Sequence, residues 1–177
     1  MEIHRKGPWA VALTRCLCLA TLLALGVVVP LRPAAAQATT TQATTDAQRL
    51  AVVDQMIKAW NTRDWEKAVN LFAPDGVLHS VMIEPIVGRD SIRKRITTLG
   101  AGLEQIELKV RNIGVINGLV FVERVDSFTY KGKRGAVPVV GIIDVQGNTI
   151  REWREYYDRA ELLREMGLAR DFDKEAR

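Results

Sequence analysis

Cysteine is nearly absent. The 177 residues include two, Cys16 and Cys18, both inside an apolar run near the amino end. A disulfide-stapled scaffold is therefore excluded. Histidine is as scarce, with only His4 and His79. No apolar run reaches the roughly 20 residues that a membrane-spanning helix needs. Aromatic residues make up 6% of the chain, and its 13 glycines and 6 prolines follow no period, so collagen is excluded. With 47% apolar and 26% charged residues, the chain is not disordered as a whole. Its length suits one domain.

The amino end reads as an export signal. Arg5, Lys6 and Arg15 form a positive head, Cys16 to Pro30 a 15-residue apolar core, and Ala34, Ala36 and Ala38 two A-x-A cleavage patterns. Cleavage after Ala36 removes Arg5, Lys6, Arg15, Arg32 and Glu2, lowering the net charge from +4 to about +1. A nucleic-acid partner needs a clustered positive field, which such a chain lacks. The exported part retains no cysteine and only His79, so a thiolate metal site and a multi-histidine zinc site are both excluded. A Ser-His-Asp triad would have to use His79. The expectation is a secreted or periplasmic protein with no stable membrane anchor and no metal.

Residues 37–45 (QATTTQATT) are low in complexity and read as a flexible lead. A single domain is expected over 46–168, and a charged tail over 169–177. Leu50, Val53, Ile57 and Trp60 recur at helical steps, with Asp46 as a plausible cap. A short second helix carries Trp65, Ala68, Val69 and Phe72 inward. Pro74-Asp75-Gly76 signals a turn, Val77 to Ile83 a strand, Glu84 to Gly88 a loop, and Ser91 to Leu99 a third helix capped by Asp90 or Ser91. On it, Arg93-Lys94-Arg95 reads as a solvated face. Four antiparallel strands follow at 104–116, 119–130, 136–146 and 149–157, the first two joined by Asn117-Gly118, a strong hairpin signal. A helix near 158–167 closes the domain. Helices followed by a meander argue α+β: one curved, mostly antiparallel sheet with helices over one face, enclosing a cone-shaped cavity.

Charges stand where a sheet should be apolar. Along residues 119–130, one face holds Val120, Val122, Arg124, Asp126 and Phe128. In the last strand Glu155 shares a face with Arg151, Trp153 and Tyr157. An apolar surround favours a protonated carboxyl. Arg124 between Asp126 and Glu155 would make a general acid/base set, because two carboxylates in different environments can hold different protonation states. On spacing alone the same residues also suit a structural ion-pair network.

Phe72-Ala73-Pro74-Asp75, Gly88-Arg89-Asp90, Asn117-Gly118-Leu119-Val120, Glu123-Arg124-Val125-Asp126 and Trp153-Arg154-Glu155-Tyr156-Tyr157-Asp158 together resemble the limonene-1,2-epoxide hydrolase family. The resemblance runs from about Asp46 to Met166. It implies the cone-like fold of nuclear transport factor 2, and cofactor-free attack of water on an epoxide, usually by a homodimer. It makes Arg124 the bridging arginine and Asp126 the acid. Glu155 falls where the family has an aspartate base, and Leu78 and Ser80 where it has a tyrosine and an asparagine that hold water. His79, between them, points the other way by alternation. Ser80 is the expected water holder. Leu78, Val122, Phe128, Val140 and Trp153 are the expected apolar neighbours of a small apolar substrate. An isomerase or cyclase in the same pocket, and a non-catalytic ligand carrier, are the alternatives.

Overall fold

The structure, a computed structural model, describes residues 43–168. The expected signal peptide, the lead up to residue 42 and the tail from 169 lie outside the described residues. The elements are α1 (Asp46–Asn61), α2 (Trp65–Asn70), β1 (Phe72–Ser80), β2 (Ile86–Val87), α3 (Arg89–Gly100), β3 (Leu103–Ile116), β4 (Leu119–Tyr130), β5 (Lys133–Gln146), β6 (Thr149–Tyr156) and α4 (Arg159–Met166). The strands form one curved, open sheet in the order β2-β1-β6-β5-β4-β3. β1 runs parallel to β6, and every other neighbouring pair is antiparallel.

Local chemistry accounts for most of these boundaries. Thr45, not Asp46, caps α1: its hydroxyl accepts from the Gln48 amide at 3.2 Å, while the Gln48 side chain accepts from the Thr45 amide at 2.8 Å. Thr44 in turn accepts from the Gly147 amide at 2.7 Å. The last residues of the expected flexible lead are thus tied down. Asp64 caps α2 through the Lys67 amide at 3.0 Å. Asn117 and Gly118 both take positive φ (51° and 77°), the conformation that a two-residue hairpin requires. Lys131 and Gly132 repeat it (48° and 81°), so β5 starts at Lys133, ahead of the start expected at residue 136.

Three further expectations are corrected. Pro74-Asp75-Gly76 is no turn: β1 runs through it, and a register shift between Phe72 and Val77 absorbs the irregular segment. Phe72 accordingly opens β1, where it stacks on Trp153 at a centroid distance of 6.4 Å. The Glu84–Gly88 loop contains β2, whose Ile86 and Val87 pair with Leu78 and Val77. α3 starts at Arg89, behind Gly88 at φ 88°, with no side-chain cap. Pro138 is tolerated in β5 because β6 first pairs there at Val140, leaving Pro138 bonded to β4 alone.

α1, α2 and α3 bury their apolar faces against the inner face of the sheet. Val53, Met56, Val69, Ile92 and Ile96 meet Val120, Val122, Ile143 and Trp153 there. A second cluster joins Leu103, Phe128, Val137 and Val139 to Met166 of α4. Both clusters contribute to the walls of one cavity.

α4 closes on the sheet at Gly135. A Cβ there would lie 2.7 Å from the Glu165 carbonyl oxygen and 2.9 Å from the Phe128 ring. Gly135→Ala is therefore expected to push α4 outward and to destabilise the domain by about 1–3 kcal/mol, read as a fall of several degrees in a thermal melt.

Candidate active site

Arg124 lies in the middle of β4 with only 2% of its side chain exposed. A buried guanidinium needs compensating carboxylates, and two are present. Asp126, two residues on and on the same face, accepts from Arg124 Nε at 2.7 Å and from Nη2 at 3.1 Å. This is the two-pronged geometry that strengthens an arginine–carboxylate pair. Nη2 also donates to Oε1 of Glu155.

Glu155 belongs to β6, and β5 lies between it and Arg124. Adjacent strands stand about 4.8 Å apart, so the guanidinium has to cross the face of β5. The register places Gly141 directly between Val122 and Glu155. A Cβ at Gly141 would lie 3.0 Å from Arg124 Nη1 and 3.2 Å from Trp153 Nε1. The missing side chain is what lets the arginine reach its second carboxylate. The Arg124 guanidinium carbon also lies 5.5 Å from the Trp153 ring centroid, within cation–π range.

Burial pushes the Asp126 carboxyl up to about 6; Arg124 opposes the shift and the negative charge of Glu155 adds to it. Burial works against the charge on Arg124 as well, but the two carboxylates outweigh it and hold the guanidinium protonated. Asp126 is therefore the group that can carry a proton near neutral pH. Ser80, at the end of β1, is the register partner of Glu155. Its Oγ accepts from the Tyr157 hydroxyl at 3.0 Å.

Arg124, Asp126 and Glu155 thus meet, and they share the cavity wall with Leu78, Ser80, Phe128 and Trp153. Two expected neighbours do not belong to it. Val122 lies on the right face but is fully enclosed in the main core, beneath Arg124. Val140 lies on the outer face and is 39% exposed; Val137 and Val139 line the cavity in its place. Val137-Pro138-Val139-Val140 is apolar throughout, so its phase is set only by pairing, which puts Val139 opposite Arg124. Arg151 also leaves the face of Trp153. It is the extra residue of a β5–β6 bulge, so Ile150 turns inward instead.

Among the residues that sequence reasoning missed, three shape the polar part of the site. Arg95 is only 8% exposed and lines the cavity. It shares a helical stripe with Ile92, Ile96 and Leu99, a signal that its charged neighbours Arg93 and Lys94 obscured. Tyr157 lines the cavity two residues beyond Glu155. Gly141 carried no signal in a single sequence.

The family model described as the limonene-1,2-epoxide hydrolase catalytic domain matches residues 47–168. An LEH-like epoxide hydrolase from M. tuberculosis superposes with a TM-score of 0.61 at 21% identity, over 68% of this chain and 90% of that one. A protein of ketosteroid isomerase-like fold from Catenulispora acidiphila DSM 44928, solved with trimethylamine, gives 0.60 at 23% identity, over 66% and 92%. An NTF2-like protein from Anabaena variabilis ATCC 29413 gives 0.57 at 21% identity, over 64% and 92%. At these identities the likeness establishes the fold, which is NTF2-like.

Two outcomes are expected. The Asp126 carboxyl should titrate near pH 6 by carbon-13 NMR. Unfolded, it releases its proton near pH 4. Its contribution to stability, on the order of 3 kcal/mol, is therefore complete below pH 4 and is lost as the pH rises through 6. Asp126→Asn should remove that slope from a series of thermal melts between pH 4 and 7. Gly141→Ala should displace the guanidinium by a few tenths of an ångström and lower stability by about 1–3 kcal/mol, with the Arg124–Glu155 contact lengthened in a crystal structure.

Proposed function

Since the chain belongs to the limonene-1,2-epoxide hydrolase family, we propose that it adds water to a small apolar epoxide by acid/base catalysis, without a cofactor. The observation that carries this reading is the buried Arg124 bridging two carboxylates in a largely apolar cavity. Glu155 takes a proton from a water molecule as the water oxygen attacks one epoxide carbon. The carbon–oxygen bond of the ring breaks, and Asp126 gives its proton to the leaving oxygen, yielding a vicinal diol. Exchange with solvent then restores the two protonation states. The raised pKa of Asp126 suits the donor role, and the apolar wall suits an apolar substrate. Arg124 orients both carboxylates and keeps them apart in protonation. The longer reach of Glu155, compared with aspartate, suits a base that must meet the guanidinium across Gly141.

The proposal extends to location and assembly: residues 1–36 act as a cleaved export signal, and the protein works as a secreted or periplasmic homodimer. The outer sheet face, with Val140 and Tyr156 exposed, is available to a second copy.

Turnover of limonene oxide or styrene oxide in oxygen-18 water tests the chemistry. A diol carrying one labelled oxygen is expected, and an unlabelled product would point to proton-shuttling isomerisation instead. Asp126→Asn and Glu155→Gln should each lower kcat by about 100-fold or more. Because the acid must be protonated, the rate should fall as the pH rises through about 6. Unchanged turnover in Asp126→Asn would overturn the assigned roles.

A further inference from the structure

Tyr157 joins a directed chain of hydrogen bonds that the acid/base set does not explain. Arg159 Nη1 donates to the Tyr157 hydroxyl oxygen at 3.3 Å, and that hydroxyl lies 3.0 Å from Ser80 Oγ. An arginine can only donate. The phenol accepts from it and spends its single proton on the serine oxygen. The serine proton is then left to point elsewhere. Ser80 lines the cavity as the register partner of Glu155, so that proton is held beside the carboxylate end of the site. Burial and the nearby negative charge of Glu155 both raise the Tyr157 pKa. The phenol therefore stays protonated, a neutral donor of constant direction, throughout the pH range in which Asp126 titrates.

We propose that Tyr157 is a positioning residue: by fixing the direction of the Ser80 hydroxyl, it places the water that Glu155 deprotonates. This rests on the hydrolytic reading of the same cavity. The water accepts from Ser80, donates to Glu155, and keeps a lone pair free for attack. Tyr157 lines the cavity, and in this role it acts on the water through Ser80. The order is a relay in series, from Arg159 through Tyr157 and Ser80 to the water. Loss of any one link should therefore undo the alignment that the whole chain provides.

The decisive experiment compares wild type, Tyr157→Phe, Ser80→Ala and the double variant. Tyr157→Phe keeps the ring and removes only the hydroxyl. Each single variant should lose roughly 10- to 100-fold in kcat with KM changed less than about twofold. The double variant should lose no more than the worse single. Losses that multiply, or a wild-type kcat in Tyr157→Phe, would overturn the relay. Crystal structures supply a readout independent of turnover. A water within hydrogen-bond distance of both Ser80 Oγ and the Glu155 carboxylate is expected in wild type and should be lost or displaced in Tyr157→Phe. The same water retained in the variant, or missing from wild type, would refute the proposal. If no epoxide is turned over at all, the hydrolytic reading falls, and the two crystal structures still decide what Tyr157 does.

Discussion

One buried positive charge organises this domain. Arg124 is among the largest fully buried side chains, and its desolvation would cost several kcal/mol if it were left alone. Asp126 answers it from the same strand, through a spacing of two that any strand guarantees. Glu155 answers it from two strands away, which only a particular sheet allows. The antiparallel register of β4, β5 and β6 puts a glycine on the line between them, and Trp153 backs the guanidinium from the side. Removing Asp126 or Glu155 would leave the buried guanidinium short of a partner in a dry wall, which is the costly case.

Burial also sets the proton affinity of Asp126. Asp126 faces enough desolvation to overcome its own arginine, and its proton affinity rises into the neutral range. In water, an aspartate beside a guanidinium would shift the other way. The enclosing helices and α4 thus set the proton affinity of Asp126, because they exclude the solvent that would otherwise favour its ionised form. Arg95 of α3 adds a second guanidinium to the wall, near enough to Tyr157 to act on it electrostatically.

Much of the fold was legible because the signals are local. Asn117-Gly118 forces a hairpin, β4 spans the residues read as a strand, and helical steps in α1 mark its inner face. The failures share a cause. Pro74-Asp75-Gly76 has turn chemistry, yet pairing of β1 with β6 overrides it. Val137 to Val140 lacks the alternation from which a face can be read. Arg151 lost its face to a bulge that no pattern within β6 announces. Arg95 was read with its charged neighbours and not with the apolar residues one turn away.

The sequence by itself determined that three ionisable groups lie on strands where apolar residues belong, and that Arg124 and Asp126 share a face. Those facts follow from the two-residue period of a strand and the cost of burying charge. Whether Glu155 meets them, which valine of β5 looks inward, and how Tyr157 reaches Ser80 were decided by the tertiary structure alone. Such contacts depend on strand order and register, which are settled by how whole surfaces pack and not by any short run of residues.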